Sequence, residues 1–143
     1  MINLEQLYRQ VIMDNYKNPK NKGLVQDENY LQVHLKNPSC GDDMHVCCNI
    51  NKGLLEDIRH DGHGCSICCS SASVMSKLLK GKTVNEANEI IHDFYEMVKG
   101  NAISDEERMD EAIAYKSVSQ FPARIKCATL AWKAIEEAIK ESK

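Results

Sequence analysis

The chain has 143 residues, the size of one domain, and one domain is expected over residues 1–143. With 43% hydrophobic and 27% charged residues it can build a core without a metal or disulfide staple. Eighteen basic against twenty-one acidic side chains leave a net charge of −3 with no basic run, so nothing marks a nucleic-acid or anionic-membrane surface.

No stretch approaches the ~18 apolar residues of a membrane span. The N-terminal residues lack the basic-then-apolar order of a signal peptide, and a cytoplasmic location is expected.

Asn3 and Gln6 form a capping-box pair, and Leu4, Leu7, Tyr8, Val11 and Ile12 follow at helical spacing up to Asn18-Pro19. This predicts a first amphipathic helix. Leu31, Val33 and Leu35 then alternate with Gln32, His34 and Lys36, a half-buried strand. After Asn37-Pro38-Ser39-Cys40-Gly41-Asp42, Met44, Val46, Cys48 and Ile50 alternate with His45, Cys47 and Asn49. Asn51-Lys52-Gly53 reads as a hairpin turn and Leu54 to His60 as a third strand, giving an antiparallel meander.

Gly62-His63-Gly64-Cys65 opens a different segment. Ile67, Val74, Met75, Leu78 and Leu79 predict a helix ending at Gly81. Thr83 and Glu86 cap the next, which carries Ala87, Ile90, Ile91, Phe94 and Val98. Asp105 to Ser119 is acidic and weakly amphipathic and is read as a short helix. Pro122 suits the first turn of a final helix with Ile125, Ala128, Trp132, Ile135 and Ile139 as its stripe. The expected fold is α+β: a three-stranded antiparallel sheet with helices packed on one face.

Seven cysteines are too few for a disulfide scaffold and an odd number to pair, which points to metal or sulfur chemistry. Three of them sit at element junctions. Cys40 lies in a turn beside Gly41, where backbone can approach an ion closely. Cys65 opens a helix, where the dipole favours a thiolate. Cys127 stands early in the last helix, and Asp42 shares the loop of Cys40. Three thiolates and a carboxylate make a tetrahedral set for Zn²⁺ or an iron–sulfur centre, and the harder carboxylate is the exchangeable member.

The remaining cysteines and histidines invite plainer readings. Cys48 is read as a small buried residue and Cys47 as a partly exposed bystander. Cys65-Ser66-Ile67-Cys68 is formally a CxxC, but without the parallel βαβ context of a redox pair. Cys68 and Cys69 are read as packing in the helix's first turns, with Cys68 an alternative to Asp42 as a ligand. His34 and His45 are read as solvated on polar strand faces, His92 as lying on the polar side of its helix, and His63 as a loop residue able to reach the site. No hydrolase triad or phosphate loop stands out.

Three blocks carry a family resemblance: Asn37-Pro38-Ser39-Cys40-Gly41-Asp42, Gly62-His63-Gly64-Cys65 with Ala72-Ser73, and Arg124-Ile125-Lys126-Cys127. In this order they resemble the signature blocks of the IscU/NifU-N/SufU iron–sulfur cluster assembly family, with a likeness running from the first helix to the last. The resemblance implies an α+β domain in which Cys40, Asp42, Cys65 and Cys127 surround one metal. The IscU branch has His before the third cysteine and a Leu-Pro-Pro-Val-Lys motif upstream. Here Lys126 and Phe121-Pro122-Ala123-Arg124 stand there, and the gap from Cys65 to Cys127 is longer, all of which is similar to SufU.

That branch implies a zinc-bound sulfur acceptor for a SufS-type, pyridoxal-phosphate cysteine desulfurase. The docked desulfurase takes a zinc position with one of its own side chains, and Cys40 is freed to accept persulfide sulfur. Downstream iron–sulfur assembly proteins would receive it. The alternative implied by the same family is a scaffold that builds a [2Fe–2S] cluster on Cys40, Asp42, Cys65 and Cys127 and passes it on. A third reading is an interaction protein whose zinc is structural. Three thiolates and a carboxylate around Zn²⁺ leave excess negative charge, for which Arg124 is the candidate cation; its plain reading is a surface salt bridge. Cys68 and Cys69 depart from the small hydroxyl or apolar residues common in the family.

Overall fold

A computed structural model describes residues 3–142. Helix α1 (Leu4–Lys17) starts at the expected capping box, with Asn3 Oδ1 accepting the Gln6 N–H at 2.8 Å and Gln6 Oε1 accepting the Asn3 N–H at 3.1 Å. Its apolar stripe is only half used. Ile12 is buried, but Leu4 and Leu7 are 61% and 45% exposed, and the other buried position is the polar Asn15. The N-terminal half of α1 therefore presents apolar side chains to solvent instead of to the core.

Strands β1 (Leu31–Asn37), β2 (Asp42–Asn51) and β3 (Leu54–His63) form an antiparallel sheet in that order. The β2–β3 turn has positive φ at both Lys52 and Gly53, the conformation that fits the twist of a two-residue hairpin. A bulge at Asn49/Ile50 leaves Glu56 without a ladder partner and shifts the phase of β3, so Leu55 and Ile58, three residues apart, are both buried. β3 also continues three residues past the expected His60: Gly62 pairs with Met44 and His63 with Asp43.

Val33, Met44, Val46, Cys48, Ile58 and His60 line the buried face. His60 is held there by its Nε2–H donating to the Lys20 carbonyl at 2.7 Å, and burial pushes its pKa down. Cys47, expected to be partly exposed, is fully buried on the opposite face. Its register partners are Gln32 and Arg59, and its short side chain sits between these two longer ones.

Helix α2 (Ser66–Leu79) is the central helix, touching α1, β3 and the last helix, α4 (Pro122–Glu141). It is buried all round and not along one stripe, because serines replace large side chains on its second face. Ser70 Oγ lies 2.6 Å from Tyr115 Oη, Ser71 Oγ donates to the Ala128 carbonyl at 2.6 Å and accepts Trp132 Nε1–H at 2.9 Å, and Ser73 Oγ donates to Asn15 Oδ1 at 2.8 Å. Each buried hydroxyl is satisfied, so the helices approach closely without stranding a polar group.

Helix α3 (Val84–Val98) buries the expected Ala87, Ile90, Ile91, Phe94 and Val98, with Phe94 stacked on Trp132 at 3.9 Å. The acidic segment, expected as a short helix over Asp105 to Ser119, is a 3₁₀ helix, Glu107–Val118, broken at Asp110 (φ 48°). The burial pattern gives the reason: Met109, Ala112, Tyr115 and Val118 recur every three residues, the 3₁₀ repeat. Arg108 ties the segment to α3 through Glu89 (3.1 Å) and Asp93 (2.8 Å). α4 follows with Pro122 in its first turn and Ala128, Trp132, Ile135 and Ile139 buried. Among the described residues no helix is long and apolar enough to cross a membrane.

Candidate metal centre

The β1–β2 connection, the start of α2 and the second turn of α4 meet at one end of the sheet. Cys40 sits in the connection, where its N–H and that of Gly41 both donate to the Asn37 carbonyl (3.3 and 3.0 Å) and φ at Gly41 is +76°. Asp42 is the first residue of β2 and is 1% exposed. Its Oδ2 accepts the Cys40 thiol at 2.9 Å, and its Oδ1 accepts the Cys65 backbone N–H at 2.9 Å. Cys65 is the N-cap of α2, and its Sγ accepts the Cys68 N–H at 3.4 Å while standing 4.0 Å from Asp42 Oδ2. Cys127 Sγ lies 3.4 Å from Cys40 Sγ.

The ligand atoms of Cys40, Asp42 and Cys127 fall within 4.8 Å of one another, and Cys65 joins through Asp42. All four residues singled out from the sequence are thus brought together. Tetrahedral Zn²⁺ with sulfur bonds of about 2.3 Å holds its ligands about 3.8 Å apart. The sulfur–sulfur separation of 3.4 Å lies near that value, and the sulfur–oxygen separations of 2.9 and 4.0 Å bracket the about 3.5 Å that a shorter bond to oxygen sets, so the donor set fits such an ion.

Electrostatics separates the members. Burial alone would raise the Asp42 pKa, but hydrogen bonds from Cys40, Cys127 and Cys65 reverse this and hold its carboxyl below the usual range. Burial pushes the Cys127 thiol far up, helped by its bonds to Asp42, Cys40 and Cys65. The Asp42 carboxylate is therefore charged without a metal, and Cys127 keeps its proton until a cation displaces it. Access divides them too, since Cys40 and Cys65 are exposed and Asp42 and Cys127 are buried.

Gly64 explains the Gly-His-Gly block. A Cβ there would run into the Asp42 carboxylate, and one at Gly62 into the Asp43 carbonyl. His63 between them is exposed and lines a neighbouring cavity with Tyr16, His60 and Cys69.

The other candidates lie outside the cluster. Cys68 is fully buried, its thiol pushed far up by burial, and Cys69 is half-buried with its Sγ 3.8 Å from the Gly64 carbonyl. All seven cysteines are free thiols, so Cys65 and Cys68 form no disulfide. Arg124, one turn before Cys127, makes no ion pair among the described residues; its guanidinium lies 4.9 Å over the Phe121 ring. His34 and His45, read as solvated, are open to solvent and also converge on Asp43. The signal was present in the sequence: alternate positions on two strands joined by a tight connection share one sheet face.

Residues 7–124 match the profile of the NifU-like N terminal domain. The chain belongs to this family. Within it, the chain is 44% identical over 137 residues to the zinc-dependent sulfurtransferase SufU of Bacillus subtilis (strain 168), covering 96% of this chain and 92% of that one. It is 39% identical over 139 residues to the iron–sulfur cluster assembly scaffold protein IscU of Streptococcus pyogenes serotype M1, covering 97% and 86%. The crystal structure of SufU from Fervidobacterium islandicum AW-1, described as a SUF-system cluster assembly scaffold, superposes with a TM-score of 0.83 at 31% identity, covering 96% of this chain and 99% of that one. The NifU-like sheet and helices of this chain thus have a solved counterpart of the same α+β fold.

Proposed function

We propose that this NifU-like protein is a zinc-dependent sulfur acceptor in iron–sulfur cluster assembly. It takes persulfide sulfur from a SufS-type, pyridoxal-phosphate cysteine desulfurase onto Cys40 and passes it to downstream assembly proteins. The observation that carries the reading is the exposed Cys40 thiol held over a buried floor of Asp42 and Cys127. The SufU-like Lys126 and the similarity to a zinc-dependent sulfurtransferase support it further.

Cys40, Asp42, Cys65 and Cys127 would hold the zinc, which when bound keeps thiols deprotonated without redox chemistry of its own. The Cys40 thiolate attacks the outer sulfur of the desulfurase persulfide. A new S–S bond forms on Cys40, the donor's S–S bond breaks, and the donor cysteine leaves as a thiolate, with no net oxidation. Asp42 Oδ2 orients Cys40 Sγ, and Cys65 N–H fixes the carboxylate. Beside the site, Leu4, Phe121 and Arg124 are exposed, and Phe121 and Arg124 border a groove with Met13, Ser66 and Ile67. This partly apolar surface, with Arg9 and Arg124 as cations and Glu5 beside them, suits a docking partner.

A second reading is favoured by the similarity to an IscU scaffold: the same four residues assemble a [2Fe–2S] cluster as cargo. Alanine production by a SufS-type desulfurase, with the protein zinc-loaded or zinc-stripped, separates the two. Strong stimulation by the zinc form, lost in Cys40→Ala, is expected. Equal rates with and without the protein, at a matched thiol supply, would sink sulfur transfer and leave the scaffold.

A further inference from the structure

Adjacent aspartates on β2 point to opposite faces of the sheet. Asp42 enters the thiol cluster, while Asp43 lies on the outer face with His45, two residues on, and His34, the register partner of His45 on β1. His34 Nε2 is 2.6 Å and His45 Nε2 3.6 Å from the same oxygen, Asp43 Oδ1. The two rings stack with centroids 3.9 Å apart and planes 9° from parallel. All three side chains are open to solvent, at 39%, 33% and 21% relative exposure for His34, His45 and Asp43.

We propose that His34, Asp43 and His45 form a second metal site, for a divalent cation of intermediate softness such as Ni²⁺, Co²⁺ or Zn²⁺. Two imidazoles and a carboxylate are the donor set such ions take, and three protein ligands leave positions for water or another molecule. The ligand atoms already lie within 4.8 Å of one another. Bonds of about 2.0–2.1 Å at tetrahedral angles set donors about 3.3 Å apart, so the ion displaces the short His34–Asp43 hydrogen bond and opens the stack until both ring lone pairs converge on it, a rearrangement that two exposed side chains allow.

The nitrogen of His45 that ligates is fixed, because Nδ1 is buried with no hydrogen-bond partner and only Nε2 faces Asp43. Lys36 Nζ stands 4.0 Å from the other carboxylate oxygen, Oδ2, and leaves Oδ1 to the rings. The strand register supplies the preorganisation. Because β1 and β2 pair from Asn37↔Asp42 to Leu31↔Cys48, the backbone holds the two histidines side by side and leaves only their side-chain torsions to adjust. Asp42 and Asp43 thus turn a thiol-rich set and this harder set to opposite faces of β2, and the thiol-rich set is the one that soft-leaning Zn²⁺ fills first. This site stands whether or not the thiol cluster transfers sulfur.

The test uses the full chain with one equivalent of Zn²⁺ bound to fill the thiol cluster, titrated with Ni²⁺ by calorimetry and followed by NMR. One further equivalent should bind, with paramagnetic broadening centred on the His34 and His45 rings and sparing His92. Asp43→Asn, His34→Gln and His45→Gln should each weaken the second ion by about tenfold or more, with zinc content unchanged. Absence of a second ion at millimolar Ni²⁺ would overturn the proposal. So would equal binding by a folded His34→Gln/His45→Gln variant, or broadening centred elsewhere in the wild-type chain, a readout independent of any variant's folding.

Discussion

Asp42 Oδ1 accepts the backbone N–H of Cys65 at 2.9 Å, so the first residue of β2 ties down the first turn of α2 across 23 positions of chain. One buried carboxylate is thus at once a member of the thiol cluster and a structural clasp. Asp42→Ala should cost the zinc-free protein about 1.5–3 kcal/mol, the range for a hydrogen bond to a charged group. Asp42→Asn, which retains an acceptor for Cys65, should keep most of that stability and still bind zinc more weakly. Urea unfolding of the metal-free proteins and zinc competition with a chelator measure the two effects separately.

Gly64→Ala places a methyl against the Asp42 carboxylate. The strand end or the carboxylate must move, with a cost of about 1–3 kcal/mol for such crowding. Zinc affinity should fall with stability, read in the same two assays. Equal zinc affinity in Gly64→Ala would show that the carboxylate has room to retreat.

Ser71→Ala tests the serine face of α2. It leaves Trp132 Nε1–H and the Ala128 carbonyl without Ser71 Oγ, in a fully buried place. A loss of about 1–3 kcal/mol is expected from the stranded donor. The indole near-ultraviolet circular dichroism should change, because Trp132 also stacks on Phe94.

Several groups shape the acid limb of stability, His60 and Asp57 among them. The folded His60 pKa is lowered by burial, with Lys22 adding to this and the Lys20 carbonyl and Asp61 opposing, so the unfolded chain takes up the proton first. Its contribution is complete above the unfolded value of about 6.5 and is lost as pH falls toward the lower folded value. For Asp57, burial opposes ionisation, and bonds from Tyr30 and Lys80 with the charge of Arg59 outweigh it, leaving the carboxyl below its ordinary value. Its contribution is present above about pH 3.9 and is lost as pH falls through the folded value. Urea midpoints should therefore drop in two stages on acidification, with Asp57→Asn flattening only the lower one.

Alkylation should rank the thiols by access. In the zinc-free protein Cys40 and Cys65 should react first and Cys69 more slowly. Cys47, Cys48 and Cys68 should react only on unfolding, since all are fully buried and burial lifts Cys48 to about 12 and Cys68 higher still. Mass spectrometry of a time course with iodoacetamide reads this order, and early labelling of Cys68 would contradict it.

The sequence announced its elements where local chemistry decides them. The Asn3–Gln6 box, the Lys52-Gly53 turn, the Thr83 cap and Pro122 are short-range signals, and the structure places element boundaries at each. The convergence of Cys40, Asp42, Cys65 and Cys127 was legible because each occupies a junction at the same end of the sheet. What escaped was set by packing between distant segments. Nothing local says that Leu4 and Leu7 will be left outside, or that four serines will make α2 buried all round. The three-residue spacing of Met109, Ala112, Tyr115 and Val118 was present in the chain, but a 3.6-residue template passes over it. The histidine cluster likewise needs the β1–β2 register, which pairs residues 11 positions apart at His34 and His45.

The alternation of Asp42 and Asp43 makes β2 unforgiving of slippage. Sliding this strand by one residue would bring one aspartate into the other's place and leave the remaining cluster with Met44 or Gly41 instead. Charge therefore guards only one cluster for each direction of slip, and shape must guard the other. That work falls to Met44, Val46 and Cys48, which the same slip would turn out into water, and to Gly62 and Gly64, where a side chain would strike the Asp43 carbonyl and the Asp42 carboxylate. A protein with two dissimilar donor sets on one strand thus keeps them apart by shape and by oil, and the glycines act as its ruler.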